Sequence, residues 1–105
     1  TVPKRVLIRG AGPSLTQFGV GGALARPVLS VLSAATVVAT NTGWSSSPDA
    51  PAIASAFAQA GAYAFSVGSQ DSALVINLAP GSYTAQVQGV GITTGVALIE
   101  VYELP

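Results

Sequence analysis

The segment ALVINLAPGSYTAQVQGVGITTGVALIEVYEL, residues 73–104, decides the fold because it contains three apolar stretches separated by turn-forming residues. In its middle part Tyr83, Ala85 and Val87 alternate with polar side chains, the pattern of a strand with one buried face. The Pro80–Gly81 pair before this stretch is typical of a turn. We therefore predict three consecutive antiparallel strands, with a hairpin between the first two, at 73–78, 82–88 and 94–104.

Shorter strands are predicted upstream of this segment. Residues 4–9 alternate in polarity and are followed by glycines, which indicates a first strand. Residues 28–32 and 36–40 are rich in β-branched side chains and flank a short turn at 33–35, so they predict a second hairpin. Residues 62–65 are predicted to form a further short strand.

One helix is predicted over residues 51–60, where Ile53 and Phe57 have the i,i+4 spacing of a buried helix face and Gly61 follows as a C-terminal cap. Many short strands with frequent turns favour an all-β fold. We predict an antiparallel β-sandwich of about seven short strands with one short helical insertion, forming a single domain over residues 1–105, as a free subunit or one link of a tandem array.

The composition indicates a surface that contacts protein. Only eight of the 105 residues are charged, four of each sign, whereas about a quarter of the residues of a typical soluble domain are charged. Neutral, weakly charged surfaces associate readily. Half of the residues are apolar, which is more than a small monomer easily buries. The sequence therefore predicts a homo-oligomer or homopolymer.

Several functions are disfavoured by the residue types. The chain has no histidine and no cysteine, which excludes a Ser-His-Asp triad and thiol chemistry. Glu100 and Glu103 are three apart on one predicted strand and point to opposite faces, so they do not form an acid–base pair. The segment RGAGPS, residues 9–14, lacks the third glycine of a dinucleotide loop. We predict no enzyme activity, no cofactor, no metal, no nucleic-acid binding and no membrane span.

The strands at 73–78 and 94–104 have two largely apolar faces, although a sandwich buries only one face of each sheet. Two explanations remain open: cover by the helix, or contact with another molecule. Glu100 is expected to pair with Arg5 or Arg9 across neighbouring strands. The interface candidates are Val96, Leu98, Glu100 and Tyr102, with Leu7 and Val38 as weaker ones.

Trp44 is the one tryptophan of the chain. Packing against the core or the helix is the favoured interpretation for a single tryptophan beside a strand end, and stacking on a sugar ring is the alternative. In that alternative, Trp44, Asn41 and Tyr63 line a shallow glycan site.

Three stretches resemble a known kind of module: KRVLIRGAGPSLTQFGVGGALARPVLSVL at 4–32, VVATNTGW at 37–44, and DSALVINLAPGSYTAQVQGVGITTGVALIEVYEL at 71–104. They are similar to repeated β-sandwich modules of large secreted bacterial proteins, in particular the pre-peptidase C-terminal-like domains. The resemblance implies a non-catalytic, extracellular sandwich. Such modules usually carry additional strand sequence before the segment RVLIRG, so an open sheet edge is expected here.

Two functions follow as predictions. The first is a non-catalytic structural subunit, located outside the cell or on its surface, that self-assembles into a filament, tube or layer through apolar strand faces or an open sheet edge. The alternative is an accessory adhesion or carbohydrate-binding module of a larger secreted protein, with a polysaccharide as partner.

Overall fold

The computed structural model describes residues 2–105 and shows two three-stranded antiparallel sheets packed together, with one short helix. The predicted all-β sandwich is confirmed, with six strands in the described chain instead of about seven. Short 3-10 helices occupy Pro13–Phe18 and Trp44–Ser46. The regular elements are β1 (Lys4–Ala11), β2 (Pro27–Ser33), β3 (Thr36–Asn41), α1 (Ala50–Ala60), β4 (Ser72–Leu78), β5 (Thr84–Gly89) and β6 (Leu98–Glu103).

The strand order is β4-β1-β6 in the first sheet and β3-β2-β5 in the second. The predicted first strand is confirmed and is the central strand of its sheet. The predicted hairpin of β2 and β3 is also confirmed: the two strands pair antiparallel, with a β-bulge between Val31 and Leu32. Each sheet therefore ends in two edge strands, β4 and β6 in the first and β3 and β5 in the second.

The predicted hairpin of β4 and β5 is wrong, and so are the three consecutive antiparallel strands. The chain changes sheet after β4 and again after β5, so β4 and β6 both pair with β1 whereas β5 pairs with β2. The five residues 79–83 are long enough to cross the roughly 10 Å between packed sheets. Alternation of polarity identifies the buried face of β5 but does not specify the strand with which it pairs.

The predicted strand at 62–65 is not formed. The carbonyl of Tyr63 accepts a hydrogen bond from Arg9 Nη1 instead of joining a sheet ladder. The ring of Phe65 is buried in the core beneath α1. These contacts hold the segment against the first sheet and α1 without pairing it to a strand.

The helix is confirmed, and α1 covers the outer face of the first sheet. Ile53, Ala56 and Phe57 form its buried face. Gly61 adopts the left-handed conformation, with φ of 70°, that ends a helix. Within residues 2–105 no helix has both the length and the apolar character needed to cross a bilayer.

This covering helix explains the two apolar faces of β4. Ala73 and Val75 face α1, whereas Leu74 and Ile76 face the second sheet. The molecule thus has two apolar clusters, one between α1 and the first sheet and one between the sheets. For β4, cover by the helix is confirmed as the reason for its two apolar faces. These faces therefore do not require contact with another molecule.

Asp71 organises the segment that follows β1. Its carboxylate is fully buried and accepts hydrogen bonds from the backbone N–H groups of Gly12 and Ser14, at 2.7 and 3.1 Å. The hydroxyls of Ser14 and Ser69 also donate to it. Gly12 leaves no room for a side chain, because an added Cβ would lie 2.2 Å from the carbonyl oxygen of Leu24. The segment RGAGPS therefore forms a tight turn after the first strand, and the carboxylate of Asp71 holds this turn in place.

Replacing Asp71 with alanine should destabilise the fold, because several buried donors would lose their acceptor. We expect a loss of at least about 2–3 kcal/mol in the free energy of unfolding, which lowers the melting temperature by roughly 10 °C or more. Asp49→Ala is the matched control, because Asp49 is exposed and makes no side-chain capping bond. Thermal unfolding followed by circular dichroism measures both, and equal losses would contradict the role given to Asp71.

Candidate assembly surface

The edge strand β6 exposes apolar side chains on both of its faces. Leu98, Ile99 and Val101 are 46%, 40% and 60% exposed. The strand pairs with β1 on one side only, so its other side presents backbone groups that no neighbouring strand covers. An exposed apolar edge strand is a typical site of pairing with another chain.

The inner face of β6 is the one that points toward the second sheet. It lies at the open side of the sandwich, where β6 has no strand of the second sheet directly over it, and we call this open side the seam. Ile99 and Val101 stand opposite Gly10 and Ile8 of β1 and therefore point toward the second sheet. Val87 of β5 packs over Gly10, where an added Cβ would lie 2.9 Å from its methyl carbon. Because β5 closes onto the central strand, the inner side chains of β6 stay uncovered at the seam.

The other face of β6 contacts the helix side of the first sheet. Glu100 Oε1 accepts hydrogen bonds from Nε and Nη2 of Arg9, at 3.0 and 2.9 Å. The hydroxyl of Tyr102 donates to the second oxygen of the same carboxylate. That hydrogen bond, together with partial burial, raises the pKa of Tyr102 above its ordinary value. The predicted pairing of Glu100 with an arginine of the first strand is confirmed, within one molecule and with Arg9.

Arg9 is fully buried and is held by three aromatic rings. Its guanidinium carbon lies 3.9 Å from the ring centre of Phe65, 4.4 Å from that of Tyr63 and 5.0 Å from that of Phe57. Such contacts attract a cation to the ring face. The ion pair with Glu100 is therefore part of the core beneath α1, and its partners are not free to bind another chain.

Leu7 is not an interface residue. It lies in the centre of β1, is fully buried, and packs in the cluster between the first sheet and α1. Its strand has β4 on one side and β6 on the other, so no second molecule can reach it. Tyr102, on the same face, is half-buried against this cluster.

Val96 precedes β6 and is 51% exposed, but its backbone is already paired. Its N–H donates to the carbonyl of Gly22, and its carbonyl accepts from Leu24 N–H. The loop at 22–24 therefore covers the sheet edge at this point. The uncovered part of the edge is Leu98–Glu103, and we call the exposed side chains of Leu98, Ile99 and Val101 together with this backbone the β6 edge.

Val38, the other weaker interface candidate, lies on β3, at the opposite edge of the second sheet. It is 44% exposed, and its neighbour Val37 is 54% exposed. Both stand beside the β-bulge of the β2–β3 pair, and a bulge is one of the devices that disturb pairing at a sheet edge. The structure thus leaves Val38 accessible but on a less regular edge than β6.

The three residues of the predicted glycan site do not form an open platform. Trp44 is only 3% exposed, packs edge-on against Phe57, and donates from Nε1 to the carbonyl of Ser66. Asn41 binds the backbone of Ala73 and Gly43. Tyr63 is half-buried and its hydroxyl contacts Ser14. Stacking of a sugar on Trp44 is therefore wrong, because the core already covers its ring.

Ile99 and Val101 were missed as surface candidates by the sequence analysis. Both faces of this strand are apolar in the sequence, but the interface candidates were taken from the face of Leu98 and Tyr102. Only the position of β5 over Gly10 leaves them exposed. Asp71 was also missed as an organising residue, since the backbone N–H groups of Gly12 and Ser14 that it binds are 59 and 57 residues away along the chain.

Replacing Glu100 with alanine should cost about 3–5 kcal/mol of unfolding free energy, because it leaves Arg9 buried without its partner. Glu103→Ala is the matched control: Glu103 pairs with Lys4, but both side chains are about 60% exposed, so the loss should stay below about 1 kcal/mol. Chemical denaturation of the dispersed protein measures both values. A small loss for Glu100→Ala would refute the structural role of the pair.

The described residues contain no group of three His, Cys, Asp or Glu side chains placed to hold a metal ion. Comparison with known proteins gives no family to which the chain can be assigned: no family model, no curated protein and no solved structure matches it.

Proposed function

We propose that this protein is a non-catalytic structural subunit that assembles with copies of itself into an extracellular filament, tube or surface layer. The observation that carries the proposal is the β6 edge, where three aliphatic side chains on two faces flank an unpaired strand. A strand added there would bury Ile99 and Val101 at the seam and extend the first sheet.

The β6 edge lacks the usual protection against pairing. Natural edge strands are commonly blocked by lysines, prolines or inward-pointing charges. The two charges of β6 are Glu100, which Arg9 neutralises within the molecule, and Glu103, at the end of the strand. Burial of the three aliphatic side chains would contribute roughly 1.5–3 kcal/mol for each one fully covered.

A second copy of the chain is the partner that the composition favours. The net charge is zero and only eight residues are charged, so copies repel each other little. Contact between two different surfaces of identical subunits generates a filament when the rotation does not close into a ring. An extracellular location accords with the absence of cysteine and methionine, which makes the chain inert to sulfur oxidation, and with the resemblance to secreted sandwich modules.

Carbohydrate binding is a second candidate, favoured by a polar cleft away from Trp44. The cleft has a volume of about 270 Å³ and lies where the 3-10 helix after β1 meets residues 64–71. Hydroxyl and amide groups of this kind bind sugar hydroxyls by hydrogen bonds, whereas the carboxylate of Asp71 is buried and already hydrogen-bonded within the molecule. Its polar lining residues are Ser14, Thr16, Gln17, Ser66, Ser69 and Asp71.

Replacing Leu98 with lysine should disperse the assembly while the sandwich stays folded, because a charge at the β6 edge opposes its burial. The purified wild type should show ordered polymers by electron microscopy and light scattering at neutral pH, whereas Leu98→Lys should have the mass of one chain. Ser55→Lys is the matched control, since it adds the same charge on the exposed face of α1. Polymers that persist in Leu98→Lys would remove the β6 edge from the contact.

If the second candidate holds, the wild type should stay monomeric and bind soluble oligosaccharides at the polar cleft. Gln17→Ala should then weaken binding by about tenfold through loss of hydrogen bonds, whereas Trp44→Phe should bind normally because that ring is buried. Chemical-shift mapping with a set of oligosaccharides measures both. Loss of binding in Trp44→Phe alone would contradict the cleft as the site.

A further inference from the structure

The β6 edge presents its free backbone groups at alternate residues. Leu104 N–H donates to the carbonyl of Arg5, one step beyond the last pair of the β1–β6 register. In an antiparallel ladder, residues that bond to one neighbouring strand alternate with residues whose N–H and C=O groups point the other way. The even-numbered residues of β6 therefore bond to β1. The N–H and C=O groups that point away from the molecule are those of Ile99, Val101 and Glu103.

The other sheet edges are less suited to take up a second copy. By the same alternation, Ala73 of β4 points its N–H outward, but this group already donates to Asn41 Oδ1 at 3.0 Å. The β3 edge contains the bulge. The β5 edge is flanked on its outer face by the polar side chains of Thr84, Gln86 and Gln88. A regular strand with free backbone groups and exposed aliphatic side chains is thus found at β6.

Two copies of the β6 edge can pair with each other about a two-fold axis. Such a pair is antiparallel, and each residue stands opposite one that faces the same side of the sheet. The registers with the longest overlap are centred on Glu100 and on Val101. The first places the two Glu100 side chains directly opposite each other, and like charges in that position are destabilising. The second places Glu100 opposite Tyr102 of the second copy, and Ile99 opposite Glu103.

The register centred on Val101 also satisfies every outward-pointing backbone group of the β6 edge. Val101 exchanges both of its hydrogen bonds with its own counterpart, and Ile99 of each copy exchanges both with Glu103 of the other. The two Glu100 side chains become diagonal neighbours, with about 7–8 Å between them. Each Glu100 carboxylate keeps its own Arg9 as a counter-charge. The β6 edge is therefore complementary to itself in this register.

Pairing in this register also covers the aliphatic side chains at the seam. Ile99 and Val101 of both copies face the same side of the joined sheet, and the two Val101 Cα atoms are about 5.5 Å apart. The exposed aliphatic side chains of one copy thus meet those of the other, which removes apolar surface of both from water. The helix α1 packs on β1 and β4 and so leaves this edge of the sheet open.

We propose that the β6 edges of two copies pair antiparallel about a two-fold axis at Val101 and join their first sheets into one continuous sheet. The inference rests on the proposed structural function and deepens it by naming the strand that occupies the β6 edge and its register. A two-fold contact closes on two copies, so a polymer grows from these pairs through a second, weaker contact. Single chains, as expected for Leu98→Lys, do not associate through that weaker contact alone.

Cysteine trapping tests the two-fold axis directly, because the natural chain has no cysteine. Val101→Cys should form a disulfide-linked dimer with itself, since counterparts about 5.5 Å apart lie within the Cα separation of a disulfide. Ile99→Cys is the matched control on the same face of β6: in this register its counterparts are about 13 Å apart along the strand. We expect Val101→Cys to be trapped at least about tenfold faster than Ile99→Cys under mild oxidation, measured by non-reducing electrophoresis.

Two results would overturn the proposed pairing. Val67→Cys gives the rate of chance collision, because Val67 is 88% exposed in the loop between α1 and β4. Trapping of Val101→Cys no faster than that of Val67→Cys would refute a two-fold axis at Val101. A mixed disulfide of Ile99→Cys with Val101→Cys that forms faster than the Val101→Cys dimer would refute the register. All three positions are exposed, so the variants should keep the fold, which circular dichroism checks.

The mass of the wild type in solution separates this inference from the proposed function. Dilution of the polymers should release dimers, because the paired β6 edges form the stronger contact. Polymers that form while Val101→Cys is not trapped with itself would refute the two-fold pairing and leave the structural function intact. A stable dimer that never grows into polymers would refute the structural function and leave the pairing intact. A wild type that stays a single chain at all concentrations would refute both.

Discussion

The ion pair of Arg9 and Glu100 is the interaction on which the rest of the structure depends. Arg9 is a fully buried cation on the central strand of the first sheet, and a buried charge is tolerated only when it is paired and hydrogen-bonded. Glu100 supplies the counter-charge from β6, and the carbonyl of Tyr63 supplies a further acceptor from the segment after α1. One side chain thus joins the edge strand, the central strand and the helix layer.

This arrangement has a consequence for the proposed assembly. Because Glu100 holds β6 against β1, the edge strand cannot leave the sheet without exposing an unpaired arginine in the core. The apolar side chains of the β6 edge are therefore presented on a fixed strand, which reduces the entropy lost when a partner binds. The same pairing removes the charge that would otherwise oppose an added strand. An interaction that stabilises the monomer thereby also fixes the surface through which we propose that it associates.

The aromatic residues of the predicted glycan site, unlike the side chains of the β6 edge, are used for packing inside the molecule. In the sequence, Trp44 is a candidate for stacking on a sugar and Tyr63 for lining the same site, but Tyr63 packs with Phe57 and Phe65 around the buried guanidinium of Arg9. Trp44 joins the same cluster through Phe57. A chain with only seven aromatic residues that places three of them around one cation, and a fourth against these, has few left for a ligand platform. The residues at the predicted glycan site are core residues for this reason.

The sequence by itself determined most of the elements, although not the predicted strand at 62–65: the strand at 4–9, the hairpin at 28–40, the helix with Ile53 and Phe57, and the partnership of Glu100 with an arginine of the first strand. These depend on local periodicity and on the requirement that a buried charge be paired. Only the tertiary structure decided that β5 belongs to the second sheet, that Leu7 is covered, and that Ile99 and Val101 are exposed. Strand pairing and cover are contacts between residues distant in sequence, and alternation of polarity gives the face of a strand but not its neighbour.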